Sequence, residues 1–235
     1  METEGAALVA ELERQFVTAV EPVSAGTLQF ALLKPANSDT LISEADFVRD
    51  DRLPYWADLW PSAHALAEWV VHEVGARRTA LEFGCGLGLV TSSAMHAGFD
   101  ITATDYYEDA LRFTRANAWR AVGREPRTRL VDWRALPADL GTYDLVLASD
   151  VLYEPTYAHL MASALSRALA PEGMAVVADP GRLSAEAFLT ACRESDLRVE
   201  RTEERPYAAG DIRQTIRLHR IRRANAAVQR ATPKP

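Results

Sequence analysis

The run Thr79–Asp105, TALEFGCGLGLVTSSAMHAGFDITATD, constrains this chain more than any other stretch. Ala80 to Phe83 is a short apolar run of the kind a strand buried on both faces shows. Gly84, Gly86 and Gly88 follow at once. Leu89 to Ala97 has helical character, and Gly98 stops it. Ile101 to Thr104, rich in β-branched residues, reads as a second strand with Asp105 at its carboxyl end. Strand, glycine loop, helix, strand and acid make one β-α-β unit, whose strands lie parallel in a common sheet.

The rest of the chain can be hung on that unit. Glu4 to Val20 reads as an amphipathic helix, Thr27 to Leu33 as a strand, and Pro35 to Asp39 as a turn. Pro61 opens a helix that carries Leu66, Trp69 and Val70, with Trp56 and Trp60 just before it. Trp56 is expected in the core, while Trp60 suits a flat apolar wall at a ligand mouth. After Asp105, YYEDALRFTRANAWRA predicts a helix of about 15 residues. Arg129 to Val131 is a short strand ending in Asp132-Trp133, and Tyr143 to Ser149 is the next, ending in Asp150. Thr156 to Leu169 is a helix, Met174 to Ala178 a strand ending in Asp179, and Ser184 caps a helix running to about Glu194. Arg198–Arg205 and Ile212–His219 alternate in polarity and pair as an antiparallel hairpin. The expected fold is therefore α/β, a Rossmann-like open, mostly parallel seven-stranded sheet with helices on both faces and a terminal antiparallel hairpin. Residues 1–53 form an N-terminal extension on the core, 54–220 the main domain, and 221–235 a loose basic tail.

Asp105, Asp132, Asp150 and Asp179 all fall at carboxyl ends of predicted strands, which is where open α/β sheets bind ligands. The glycines let a ligand approach the backbone, and the helix behind them offers free N–H groups. A dinucleotide fingerprint would read G-x-G-x-x-G. Here the loop is G-x-G-x-G with Glu82 before it, which weakens a phosphate assignment. Asp105 is placed to accept hydrogen bonds from ribose hydroxyls, with Tyr106 beside an adenine. Asp132 can accept from the adenine amino group and Trp133 can cover its face.

Glu82 and the three glycines, followed by Asp105, resemble the first two motifs of the seven-strand methyltransferases that use S-adenosylmethionine (SAM). Asp150-Val151-Leu152-Tyr153 after the fourth strand resembles the D-x-x-Y motif of their protein-lysine methyltransferase group. PYWADLWP from Pro54 to Pro61 and Asp179-Pro180-Gly181-Arg182 look like the electron-transfer-flavoprotein β-subunit lysine methyltransferases and their bacterial relatives. The resemblance spans Trp56 to Arg182. It implies SAM as cofactor, with a cofactor set of Trp60, Glu82, Gly84, Cys85, Gly86, Gly88, Asp105, Tyr106, Asp132, Trp133 and Ser149. It implies a catalytic, substrate-side role for Asp150 and Tyr153, with Asp179 and Arg182 as substrate candidates. A lysine ammonium has no lone pair, so burial beside a sulfonium must lower its pKa, with a carboxylate to draw it in and a tyrosine to orient it. Two alternatives stay open: a methyltransferase for a small amine or other metabolite, and a binding module on the same fold without catalysis.

Composition narrows the partners. The net charge is −7, but the first 75 residues hold 13 acidic against four basic side chains, and the last 35 hold nine basic against three acidic. An acidic front repels a phosphate backbone, and no N-P-P-Y-type motif is present, so nucleic acid is not the expected substrate. Asp46, Asp50, Asp51 and Asp58 are expected to border the substrate mouth and to attract a lysine-bearing protein. With two cysteines, Cys85 and Cys192, and no C-x-x-C, neither a disulfide framework nor a zinc site is supported. His64 and His72 have no metal-ligand company. No apolar run is long enough to span a bilayer, and the acidic start METEGAALVAELERQF does not resemble a signal peptide. A cytoplasmic monomer without metal or membrane partner is expected.

Overall fold

The structure, a computed structural model, describes residues 4–41 and 54–224. Its main sheet has seven strands: β3 (Thr79–Phe83), β4 (Asp100–Asp105), β5 (Arg127–Leu130), β6 (Tyr143–Ser149), β7 (Leu169–Asp179), β8 (Leu197–Ala209) and β9 (Ile212–Arg223). Their spatial order is β5-β4-β3-β6-β7-β9-β8. The first five run parallel, and β9 lies antiparallel between β7 and β8. The α/β sheet with a terminal hairpin stands as expected.

The strands read as continuous apolar runs because both faces are covered. Ala80, Ile101, Leu145 and Leu147 face α2 (Pro61–Val71) and α3 (Leu89–His96), packing with Leu66, Trp69, Val70 and Val90. Leu81, Phe83, Val146 and Ala148 face the other way, onto α5 (Pro155–Ala168) and α6 (Ser184–Glu194), where Met161, Leu165 and Phe188 are buried. The helix α4 (Glu108–Val122) follows β4, and Gly123 closes it in the left-handed conformation.

The N-terminal residues add a separate layer. Helix α1 (Glu4–Gln15) buries Leu8 and Leu12 in a cluster with Phe113 of α4 and Trp56. It does not reach Val20: Thr18 begins strand β1 (Thr18–Ala25), which pairs with β2 (Leu28–Pro35) in a two-stranded antiparallel sheet. Val17, Thr18 and Val20 favour strand over helix, which ends the helical periodicity early. The hairpin is tied down by one buried amide. Asn117 Oδ1 accepts from the Leu33 N–H at 2.7 Å, and Nδ2 donates to the carbonyls of Leu33 and Leu87, both at 2.9 Å.

Other boundaries moved. Pro35 still pairs with Thr18, and a 3-10 turn follows only at Ser38–Leu41. Helix α5 ends at Ala168, and β7 starts at Leu169, absorbing Pro171–Gly173 at a register shift against β6. Strand β5 stops at Leu130, one residue short of Val131. Ser184 is the first helical residue of α6 with Leu183 before it, and makes no capping bond. Both hairpin strands run longer than the alternation indicated, so Ile221 to Arg223 belong to β9. The segment containing Asp46, Asp50 and Asp51, and the tail from residue 225, lie outside the described residues.

Candidate active site

A cavity of about 360 Å³ opens at the carboxyl ends of β3, β4 and β6. This is the point where the sheet order reverses: β3 has β4 on one side and β6 on the other, so the connections leave in opposite directions and a crevice remains. The glycine loop forms its floor. The N–H groups of Gly84 and Cys85 donate to the Thr104 carbonyl, joining the loop to the end of β4. Gly86 and Gly88 have φ of +50° and +79°. A Cβ on Gly88 would stand 2.8 Å from the Thr114 backbone, and one on Gly86 would stand 3.2 Å from the Trp56 carbonyl oxygen, so the loop is wedged between two elements.

Asp105 sits under that loop. Its carboxylate accepts the Gly86 N–H at 3.0 Å and the Tyr107 N–H at 3.1 Å while lining the cavity. Glu82, buried at the end of β3, accepts from the Thr91 hydroxyl. Burial pushes its carboxyl up to about 8; the Thr91 hydrogen bond opposes that shift and the Asp105 charge adds to it. Cys85 is also buried, and burial, then Asp105 and Glu82, hold its thiol well above the usual range. An inert thiol in contact with the Thr114 hydroxyl is a packing group, not a nucleophile.

The wall past β5 is built by a 3-10 turn, Trp133–Ala135, which Asp132 caps through the Arg134 N–H at 2.9 Å. The Arg134 guanidinium also grips the Asp132 carboxylate, with Nη2 at 2.7 Å, and lies 5.7 Å from the Tyr106 ring centroid. Asp132 therefore reaches the cavity as half of an ion pair. Five aromatic rings make a row along the cavity, each edge-on to the next: Trp60 to Tyr55 at 5.7 Å, Tyr55 to Tyr153 at 5.2 Å, Tyr153 to Tyr157 at 4.9 Å, and Tyr157 to Trp133 at 5.4 Å. Trp60 Nε1–H donates to the Tyr55 carbonyl at 2.8 Å, which fixes the indole at the mouth.

The cavity brings together Trp60, Glu82, Gly84, Cys85, Gly86, Gly88, Asp105, Tyr106, Asp132, Trp133, Ser149, Asp150, Tyr153 and Arg182. Sequence reasoning missed Tyr55, Tyr157 and Arg134. Tyr157 was findable, since it lies in the first turn of the helix that follows the Asp150–Tyr153 motif; nothing local marks Arg134. Trp56 packs in the core against Phe113 as expected, and Asp58 borders the cavity.

One candidate needs correcting. Asp179 was a substrate candidate, but it is fully buried and does not line the cavity; its Oδ1 accepts the N–H groups of Gly181 and Arg182 at 2.7 and 2.8 Å, so it shapes the loop. Asp150 lines the cavity as expected of it, with both carboxylate oxygens engaged. Its Oδ2 accepts the Ser62 N–H at the start of α2, and Oδ1 pairs with Arg182 Nη2, both at 2.9 Å. Its φ of +56°, in the left-handed region, turns the buried side chain into this position.

Fold and site define a class: this is the class I SAM-dependent methyltransferase fold, and the family model described as "Methyltransferase domain" matches residues 81–177. S-adenosylmethionine is the cofactor of such a domain, and the residues present fit it: a floor of glycines at positive φ, an acid beneath it at the end of β4, and aromatic walls. Among particular relatives, the chain is 30% identical over 137 residues to the electron transfer flavoprotein beta subunit lysine methyltransferase of Danio rerio, covering 57% of this chain and 52% of that protein. It is also 30% identical over 145 residues to the ribosomal protein L11 methyltransferase of Cupriavidus metallidurans, covering 60% and 44%. The chain thus spans about half the length of the curated relatives it matches. Among solved structures, magnesium protoporphyrin IX methyltransferase from Synechocystis, with bound SAM, shares the fold at a TM-score of 0.56 and 19% identity, over 79% of this chain and 94% of that one.

Proposed function

We propose that the protein transfers a methyl group from SAM to the ε-amine of a lysine in a protein substrate. The observation that carries this is that Asp150 and Tyr153 line the same cavity as the glycine loop and Asp105. When bound, SAM supplies a methyl group on a positively charged sulfur, ready for in-line displacement by an amine. The glycine loop and Asp105 would hold the cofactor, and Trp133 and Tyr106 would flank its base.

The remaining residues handle the acceptor. Tyr55, Tyr153 and Trp60, edge-on to one another along the cavity, would flank a four-carbon stem and displace water from it on binding. Dehydration favours the neutral amine over an ammonium whose ordinary pKa is ~10.4. Asp150 draws in the ammonium, which then gives up a proton to solvent water, and the Tyr153 hydroxyl orients the lone pair of the amine so formed. The D-x-x-Y arrangement and the likeness to a lysine methyltransferase support this acceptor over others.

The test uses SAM labelled in its methyl group, first with the electron transfer flavoprotein β subunit as acceptor and then with a whole proteome. Label released as methyl-lysine on protein hydrolysis is the expected result. Label confined to the small-molecule fraction would move the acceptor to a free amine. Asp150→Asn should retain cofactor binding within a few-fold and cut transfer by ~10²-fold, the scale of one lost electrostatic contact at a reacting centre.

A further inference from the structure

Two buried carboxylates share one guanidinium beside the cavity. Asp150 follows β6 and Asp179 ends β7, and Arg182 reaches back between them from the loop before α6. Its Nη2 is on Asp150 Oδ1 at 2.9 Å. Its Nε faces Asp179 Oδ2 at 3.9 Å, just beyond bonding distance. Both of those atoms are buried and have no hydrogen-bond partner among the described residues. A buried donor and a buried acceptor, each unsatisfied and facing one another, mark a hydrogen bond the protein can make by a small rotation of one side chain.

The location gives that rotation a use. Arg182 and Asp150 line the main cavity and also a second one of about 550 Å³. This second cavity lies between the β1–β2 hairpin, the start of α2 and the start of β9, with Glu21, Lys34, Ile212 and Gln214 in its walls. The guanidinium stands at the junction of the two, 5.8 Å from the Trp60 ring centroid.

We propose that Arg182 is a stand-in for the acceptor: it occupies Asp150 in the free protein, yields that carboxylate to an arriving primary ammonium, and pivots onto Asp179. The proposal rests on the amine-acceptor assignment above. It accounts for what a fixed Arg182–Asp150 pair leaves unexplained, since a buried carboxylate already neutralised by arginine attracts no second cation. Exchange keeps Asp150 paired throughout, avoiding a lone buried charge. Burial holds the Asp179 carboxyl above its ordinary range, a shift that a closer guanidinium would oppose. A neutral acceptor cannot take the guanidinium's place, so the exchange selects for amines over hydroxyls and amides.

The probe is n-butylammonium, the lysine side chain without its backbone, titrated by calorimetry with S-adenosylhomocysteine present. Arg182→Ala should bind it at least about tenfold more tightly than the unaltered protein, the gain from removing a competitor that holds a site nine-tenths of the time. Arg182→Gln keeps the stem against Trp60 and should show the same gain, which carries the test if the alanine variant folds poorly. Asp179→Asn removes the alternative seat and should weaken butylammonium binding in the presence of Arg182. In the Arg182→Ala background that substitution should have no effect. Asp150→Asn should abolish binding in every background. Butylammonium affinity indifferent to Arg182, or no binding in any variant, overturns the exchange, even if lysine is methylated. Conversely, this pattern of affinities with no methyl-lysine formed would sustain the cation site and remove only the lysine assignment.

Discussion

Glu82 is an acid at the bottom of a cavity, without a cation beside it among the described residues to make its charge welcome. Its folded pKa, about 8, lies above its ordinary 4.5. The folded protein therefore holds a proton that the unfolded chain releases, and the sign follows: the stabilisation is complete below pH 4.5 and drains away as pH rises towards 8 and beyond. Across that window the loss approaches ~1.4 kcal/mol per pH unit. Glu82→Gln keeps the shape and cannot ionise, so its melting temperature should match the parent near pH 4 and exceed it at pH 8.5. Parallel melting curves at both pH values would show Glu82 to be charged in the fold. Asp105 behaves oppositely, as an acceptor whose loss orphans two backbone donors. Asp105→Ala should cost ~1–3 kcal/mol of stability for the Gly86 and Tyr107 N–H groups it leaves unpaired. It should also weaken SAM by at least tenfold, equivalent to ~1.4 kcal/mol or more. Isothermal calorimetry with unchanged SAM affinity would remove Asp105 from the cofactor site.

At the level of the element, the glycine loop is a spring held at both ends by hydrogen bonds rather than a slack turn. Gly88 N–H closes it on the Cys85 carbonyl at 2.8 Å, and the Thr114 hydroxyl pins the Gly86 carbonyl at 3.0 Å. Gly86→Val would demand a branched residue at a φ of +50°, with its Cβ pressed on the Trp56 carbonyl. The strain should be ~1–3 kcal/mol, taken from the loop and not from the sheet. The expected outcome is a folded protein by circular dichroism with no thermal shift on adding SAM. Retention of that shift would mean the ligand does not meet the loop. The loop was readable in advance because glycine spacing is a local property. Strand β1 was not: TAVEPVSA carries a proline and no clean alternation, and its local strand preference at Thr18 and Val20 is completed by β2, which pairs with all eight of its residues. The Asp150–Arg182 pair was likewise hidden, since 32 positions separate its members and neither motif announces the other.

The whole molecule carries its charge unevenly, and the described part of the acidic front comes to the site through Asp58, which lines both cavities and pairs with Lys34 at 3.2 Å. If a basic protein is the acceptor, turnover should fall as salt rises from 20 to 300 mM, values spanning Debye lengths from roughly 20 to 6 Å. Asp58→Lys should raise KM for that protein while a small amine is little affected. Salt-independent turnover on the protein acceptor would place recognition in uncharged contacts. The parallel core and its ligand rim were legible because four of the five parallel strands end at or just before an aspartate: Asp105, Asp132, Asp150 or Asp179. The aromatic row was only half legible, because Tyr55 and Tyr157 acquire meaning from Tyr153 between them, a relation of space and not of spacing.

Asn117 gives the N-terminal hairpin a voice in the chemistry. One amide grips Leu33 on the hairpin and Leu87 within the glycine loop, so neither partner can drift without breaking a bond that the other feels. Such a shared anchor is reciprocal: a ligand that stills the loop must also still the hairpin, and by the same free energy. Hydrogen exchange at the Leu33 amide, which does not line the cavity, should therefore slow when SAM is added. In Asn117→Ala the exchange should be fast and indifferent to SAM, and cofactor affinity should fall although no group that touches the cofactor has changed.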